Sequence, residues 1–170
     1  MDIFIIIGTL IILGVLITFA FIYLKKKLSI SNGFNKTLPF KLKGFFFTRS
    51  EQEFFNILKS QIDHSKYSIF PKVRLGDFIE TTAKGGDWIE NWNRIKSKHI
   101  DFLIWNIQKK VVVFAIEIDG NSHNNTKMQK SDKFKNKLYS TIGLRFKRIK
   151  IGQNFISEVS KILSELESIF

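Results

Sequence analysis

The chain has 170 residues, no cysteine, and 27 Lys and Arg against 15 Asp and Glu, which gives a formal net charge of +12. The absence of cysteine excludes disulfides and thiolate metal sites, so that oxygen and imidazole groups remain as metal ligands. The excess of basic residues predicts anionic partners, either nucleic acid or anionic lipid.

Residues 3–24, IFIIIGTLIILGVLITFAFIYL, carry no charge. At about 1.5 Å per residue, this run is long enough to cross a hydrocarbon core of about 30 Å. Its bulky end and the short segment before it are not typical of a cleaved signal peptide. We therefore predict a single transmembrane anchor in residues 1–24.

Three lysines, Lys25 to Lys27, follow the apolar run directly. Positive charge on this side predicts that the amino terminus lies outside and that the rest of the chain is cytoplasmic. The same lysines would attract anionic lipid. Residues 25–44 contain Ser, Asn, Gly and Pro among lysines and predict a basic tether to one domain in residues 45–170.

The domain is predicted to begin with a helix over residues 49–62, because Thr48 and Glu51 have the spacing of a capping box. Residues 67–79 alternate loosely around Pro71 and predict an irregular first strand.

Residues 87–98 fit either a short helix or an inserted loop. They contain Trp88 and Trp92, whose spacing favours a packed or lid-forming pair over a surface that stacks on nucleic-acid bases.

The next two strands, residues 99–105 and 111–119, are separated by a short connection, which predicts an antiparallel hairpin. A helix is predicted from Ser131 to Gly143, and another from 154 to 168. Between these helices, residues 144–151 alternate apolar and basic side chains. The basic side of that strand faces either a polyanion or solvent.

Carboxylates cluster at the end of the strand VVVFAIEID. Glu117 and Asp119 are two residues apart and therefore share one face, where they repel each other unless a cation lies between them. Asp101 on the preceding strand supplies a third acid among apolar residues, where an isolated charge is costly. A divalent cation bound by oxygen is one solution, and a turn with solvated acids is the alternative.

The segments TRSEQEFF, IDFLIW, AIEIDGNSH and SDKFKNKLYSTIGLRFKRI resemble a bacterial domain-of-unknown-function family, number 2726. That family is assigned to the PD-(D/E)XK nucleases and is similar to very-short-patch-repair endonucleases. The resemblance covers residues 37–151 and implies an α/β fold with a restriction-endonuclease-like mixed sheet flanked by helices.

The resemblance also implies site residues. Asp101 and Glu117 would bind Mg²⁺ or Mn²⁺, and Glu51 would support them. Asp119 stands where the superfamily has a catalytic lysine. His123 after the strand is its natural substitute, and Lys133 and Lys135 on the next helix are alternative sources of positive charge. Positive side chains for the nucleic acid are expected at these positions: Lys133, Lys135, Arg145, Lys147 and Lys150.

Three hypotheses about function follow. The first is a Mg²⁺-dependent endonuclease, a hydrolase of phosphodiester bonds in DNA or, as second choice, RNA, anchored to the bacterial inner membrane. The second is a catalytically weak or inactive module that binds nucleic acid or another partner at the membrane. The third is a platform on anionic lipid, which requires basic residues near the anchor rather than around the acids.

Overall fold

The structure is a computed structural model, and it describes residues 3–34, 37–120 and 126–168. The chain divides into two compact units, Met1–Gly44 and Phe45–Phe170.

The first unit contains helix α1, Ile3–Phe34. Over Ile3–Leu28 this helix is long and apolar enough to cross a membrane, as predicted. It continues past Leu24, so the first part of the predicted tether is helical, because Lys and Leu are good helix formers. The orientation of the helix remains a prediction.

The described part of the second unit forms a four-stranded mixed sheet in the order β1-β2-β3-β4. The strands are β1 Tyr67–Arg74, β2 His99–Asn106, β3 Val111–Asp119 and β4 Arg145–Lys150. β1, β2 and β3 pair antiparallel, and β4 lies parallel to β3. The α/β class and the β2–β3 hairpin are therefore confirmed.

Helices flank this sheet on both faces. They are α2 Arg49–Gln61, α3 Gly86–Ile95, α4 Thr126–Thr141 and α5 Phe155–Glu167. One core joins the inner faces of α2 and α5 to the sheet through residues such as Phe54, Phe102 and Ile162. A second core joins α3 and α4 to the other face through residues such as Ile95 and Tyr139.

The capping box at the start of α2 is confirmed. Thr48 N–H donates to Glu51 Oε2 at 2.9 Å, and Glu51 N–H donates to Thr48 Oγ1 at 3.3 Å. These two bonds satisfy backbone groups that a helix start otherwise leaves without partners. They also fix the direction of the Glu51 carboxylate, which belongs to the candidate site.

Residues 86–95 form a helix rather than a loop, and Trp88 stacks on Trp92 with ring centroids 5.8 Å apart. Trp92 packs against the second core, as the packed-pair interpretation expects, whereas Trp88 remains 44% exposed.

The predicted start of α4 is wrong. The helix begins at Thr126, so Ser131 lies inside it and is not its cap. Lys, Met and Gln between these positions are good helix formers and carry the helix further back. The predicted end is correct, because Gly143 follows the helix with a left-handed φ of 68°.

The basic residues of β4 lie on two faces of the sheet. Lys147 points toward α5, where its Nζ lies 3.5 Å from Glu158 Oε2 and 3.4 Å from Glu165 Oε1. Arg148 points toward α4 and the second core face. β4 therefore has no single basic face, because helices cover the sheet on both sides.

We expect Glu158 to make stability sensitive to acid. A hydrogen bond from Lys161 holds the pKa of Glu158 below its usual value, the Lys147 charge adds to this effect, and burial opposes it. A carboxyl group whose pKa is lower in the folded protein stabilises the fold at pH values above its unfolded pKa, which is near 4.5. This stabilisation is lost as the pH falls through the pKa of the folded state. Glu158→Gln should therefore lose less thermal stability than the parent when pH falls below about 4.5.

Thermal melting between pH 7 and pH 3 tests this expectation. The control is Glu165→Gln, which removes a more exposed partner of the same lysine. Equal acid sensitivity of the parent and Glu158→Gln would contradict it.

Candidate functional site

The acidic residues meet at one end of the sheet. Asp101 lies near the start of β2, and Glu117 lies near the end of β3. The pairing of Phe102 with Ile116 makes Asp101 and Glu117 neighbours in this antiparallel ladder. Both side chains are held mostly out of solvent, with exposed fractions of 12% and 13%.

A lysine joins two of the acids. Lys72 Nζ lies 2.5 Å from Glu51 Oε1 and 2.9 Å from Asp101 Oδ1. The second oxygen of each carboxylate accepts a backbone N–H, from Thr48 to Glu51 and from Ile118 to Asp101, both at 2.9 Å. We call Glu51, Lys72 and Asp101 the Lys72 cluster. Backbone hydrogen bonds thus orient two carboxylates toward one cation.

The backbone of Lys72 is unusual. Its φ is 55°, in the left-handed region that a non-glycine residue rarely adopts. The β1–β2 ladder pairs Pro71 with Phe102 and Val73 with Ile100, and skips Lys72. Such a conformation costs on the order of 1 kcal/mol or more and persists only where the surroundings fix it. Here the irregularity turns the lysine toward the acids.

Ion pairs and hydrogen bonds, rather than burial, determine the direction of the pKa shifts of Glu51 and Lys72. Burial alone would raise the pKa of Glu51, but the hydrogen bonds from Lys72 and Thr48 outweigh it and lower that pKa. Burial would likewise lower the pKa of Lys72, but its bonds to Glu51 and Asp101 raise it. Glu51 and Lys72 are therefore both charged at neutral pH.

A second cluster surrounds Glu117. Lys135 on α4 contacts Glu117 Oε1, and Arg148 Nη2 lies 3.0 Å from Glu117 Oε2. Arg148 also lies 3.3 Å from Asp132 and 3.9 Å from Asp119. We call these five residues the Arg148 cluster. The cations required between the acids of β3 thus come from α4 and β4.

Lys135 is the most deeply enclosed cation of this cluster, with 12% of its side chain exposed. Burial, together with the charges of Arg148 and Lys98, lowers its pKa to about 8, although the charge of Asp101 opposes this shift. Contact with Glu117 favours the charged form. Lys135 Nζ also donates to the His99 carbonyl at 3.1 Å, which ties α4 to the start of β2.

Tyr139 lies one turn after Lys135 on α4 and is 1% exposed. Its ring packs 4.6 Å from the Phe146 ring. Burial raises the pKa of its hydroxyl, which has no hydrogen-bond partner among the residues that the structure describes. The hydroxyl is therefore neutral at physiological pH.

The structure brings the four predicted acidic residues together in the two clusters. The predicted basic residues, in contrast, do not form one surface. Glu51, Asp101, Glu117 and Asp119 lie in the two clusters, and Lys135 lies among them rather than on the surface. Lys133 and Lys150 are exposed. The Arg145 guanidinium donates to the Glu165 carbonyl at 2.6 Å, beside α5 and near Lys147. His123 falls outside the described residues.

Sequence reasoning missed the roles of Lys72, Asp132, Tyr139 and Arg148. Pro71 indicates an irregular strand, but it does not reveal that the next residue turns toward the acids. The i, i+4 spacing of Lys135 and Tyr139 gives one helix face and was a usable signal. The contact between Arg148 and Glu117 depends on the parallel register of β3 and β4, which local sequence does not reveal.

Within residues 3–34, 37–120 and 126–168, no three acidic or histidine side chains are close enough together to enclose a metal ion. Lysine and arginine side chains lie between the acids instead. A metal ion at Asp101 and Glu117 would therefore have to compete with cations of the chain itself.

The family model described as "Protein of unknown function (DUF2726)" matches residues 44–166. No curated protein and no solved structure matches the chain. The matched segment contains both clusters and every element from α2 to β4.

Proposed function

The chain belongs to the family of proteins of unknown function DUF2726, and from its site we propose that it is a metal-dependent hydrolase of phosphodiester bonds in nucleic acid, most directly DNA. The single observation that carries the proposal is the contact between Lys135 and Glu117. In this contact, Lys135 supplies a positive charge beside the acids of β3. The nucleases that the chain resembles have a lysine at the position of Asp119, and an aspartate cannot supply that charge.

The order of elements supports the finer placement among the PD-(D/E)XK nucleases. Helix α2 precedes three antiparallel strands, and α4 crosses to a parallel fourth strand. The acids lie on α2, β2 and β3, as that superfamily arranges them. Helix α3 is an additional element between β1 and β2.

Two carboxylate oxygens, of the kind that bind hard divalent cations, converge on one position. Glu51 Oε1 and Asp101 Oδ1 converge on the Lys72 ammonium, and backbone N–H groups fix both carboxylates. Carboxylate oxygens on rigid elements are donors that Mg²⁺ and Mn²⁺ prefer. Asp101 and Glu117 would hold the ion with support from Glu51. When bound, such an ion lowers the pKa of water and stabilises charge on the phosphate.

The cations of the Arg148 cluster have a separate role. Lys135 and Arg148 place positive charge beside Glu117, where it stabilises negative charge that develops on phosphate oxygens. Asp119 and Asp132 hold the Arg148 guanidinium. Exposed Lys133 and Lys150 can contact the backbone of the nucleic acid, and such contacts weaken as salt rises. We assign proton transfer to His123, whose unperturbed pKa of about 6.5 suits this task.

We propose that α1 anchors this enzyme in a bacterial inner membrane, with the second unit in the cytoplasm and Lys25 to Lys27 at anionic lipid. The length and apolar composition of α1 support the anchor. The basic juxtamembrane segment supports the orientation.

A second candidate function is a module that binds nucleic acid without cleaving it. One observation favours it, because all four carboxylate oxygens of Asp101 and Glu117 already accept bonds from the chain. Their donors are Lys72, the Ile118 N–H, Lys135 and Arg148.

The experiment that tests the first proposal is a cleavage assay with the full chain in detergent micelles. Labelled duplex DNA, single-stranded DNA and RNA are incubated with Mg²⁺, Mn²⁺ or EDTA. We expect cleavage of DNA with either metal ion and none with EDTA, because the site acids act through the ion. Salt-sensitive binding without cleavage under all conditions would instead support the binding module.

A further inference from the structure

The Lys72 cluster has an arrangement that ordinary surface ion pairs lack. Two carboxylates from different elements, Glu51 on α2 and Asp101 on β2, share one ammonium. Each carboxylate has its other oxygen fixed by a backbone N–H. The two remaining oxygens are therefore held in place before any cation arrives, and the lysine fills the position between them.

The lysine reaches this position only through an exceptional backbone. Lys72 has a φ of 55° and makes no ladder pair, although Pro71 and Val73 on either side are paired with β2. Regular alternation would send its side chain along one sheet face. The left-handed residue directs the ammonium to the end of the sheet instead.

The Lys72 side chain is the most exposed member of the Lys72 cluster. About a quarter of the Lys72 side chain, 24%, is exposed, compared with 10% for Glu51 and 12% for Asp101. Lysine carries its charge on a flexible four-carbon stem, whereas a carboxylate fixed by a backbone N–H has little freedom. Water therefore reaches the Lys72 side chain more easily than it reaches the side chains of the two acids.

We propose that Lys72 is an internal counter-cation that occupies the oxygen-lined position between Glu51 and Asp101 and is displaced when a divalent metal ion binds Asp101. Oδ2 of Asp101 is committed to the Ile118 N–H, so Oδ1, which now accepts from Lys72, is the oxygen that a metal ion would take. An ammonium and a divalent ion on the same oxygen would repel each other.

This inference rests on the proposed metal-dependent function and goes beyond it. It makes Lys72 a positioning residue that neutralises the acids while the metal ion is absent and weakens the apparent affinity for the ion. A purely structural lysine would stabilise the fold without opposing the ion.

The test is calorimetric titration of Mn²⁺ into the full chain in detergent micelles. The parent is compared with Lys72→Met, which removes the charge, and with Lys72→Arg, which keeps it. The matched control is Lys66→Met, which breaks an exposed lysine–aspartate pair at 3.4 Å outside the site. Circular dichroism establishes that each variant is folded, and Lys72→Gln replaces Lys72→Met if the latter does not fold.

We expect Lys72→Met to bind Mn²⁺ at least about tenfold more tightly than the parent, because a like charge within hydrogen-bond range is removed. Lys72→Arg and Lys66→Met should bind with nearly the parental affinity. Without metal, Lys72→Met should melt below the parent, because the two acids lose their shared cation. Mn²⁺ should raise its melting temperature more than that of the parent.

Parental or weaker Mn²⁺ affinity in folded Lys72→Met overturns the inference, while Mn²⁺ binding by the parent leaves the proposed function intact. If neither folded protein binds Mn²⁺, the metal-dependent function itself fails together with the inference. The two failures are therefore distinguishable in one set of titrations.

Discussion

Asp101→Asn is expected to abolish detectable cleavage of DNA, a loss of at least about 10²- to 10³-fold. Asp101 links β2 to both neighbouring strands, because it accepts from Lys72 on β1 and from the backbone of Ile118 on β3. Asparagine keeps an oxygen for the backbone bond but removes the charge that a metal ion requires. The rate of single-turnover cleavage with saturating Mn²⁺ measures this loss.

The same substitution should leave the protein folded. Loss of the charge-assisted bond to Lys72 should lower the free energy of unfolding by about 1 to 3 kcal/mol. Asp101→Ala also removes the acceptor for the Ile118 N–H, and should therefore be less stable than Asp101→Asn. Denaturation of both variants separates these contributions.

Asp63→Asn is the matched control, because Asp63 is an exposed acid in a turn, bonded to Ser65 and Lys66. It should cleave at the parental rate. Parental cleavage by folded Asp101→Asn would remove Asp101 from the catalytic site and would leave the binding module as the better candidate.

Local sequence patterns predicted the secondary structure well, because helix capping and strand alternation act between near neighbours. The Thr48–Glu51 box and the hairpin that holds Asp101 and Glu117 are confirmed in this way. The start of α4 was wrong because a serine with the usual capping chemistry also occurs inside helices, where neighbouring helix formers outweigh it.

The partners of the acids were harder to predict, since they come from distant elements. Lys72 reaches Asp101 through a left-handed residue inside a strand, which no alternation pattern anticipates. Arg148 and Lys147 are adjacent in sequence, yet one contacts Glu117 and the other contacts α5. Which of two neighbours meets the acids depends on the helices that cover the two sheet faces.

Lys135→Met is expected to slow cleavage by on the order of 10² to 10³, because it removes preorganised positive charge from an enclosed site. Lys135 contacts Glu117 and donates to the His99 carbonyl, so its ammonium is held between β2 and β3. A side chain with these contacts adds little to a diffuse basic surface. Affinity for DNA and its dependence on salt should therefore change little.

Lys133→Met, two residues earlier on the same helix, is expected to affect DNA binding rather than the cleavage rate. Lys133 is exposed and has the same charge. Its loss should weaken DNA binding and reduce the salt dependence by about one counterion contact, while the cleavage rate at saturating DNA stays near the parental value. Fluorescence anisotropy across salt concentrations and single-turnover cleavage measure the two effects separately.

The contrast between these lysines tests whether burial, rather than charge alone, gives Lys135 its role. If both variants lost affinity in parallel and kept the parental single-turnover rate, Lys135 would belong to the binding surface. The contact with Glu117 would then be a structural ion pair. If Lys135→Met alone loses the rate while its melting temperature shows a folded protein, the cation missing at Asp119 is supplied from α4.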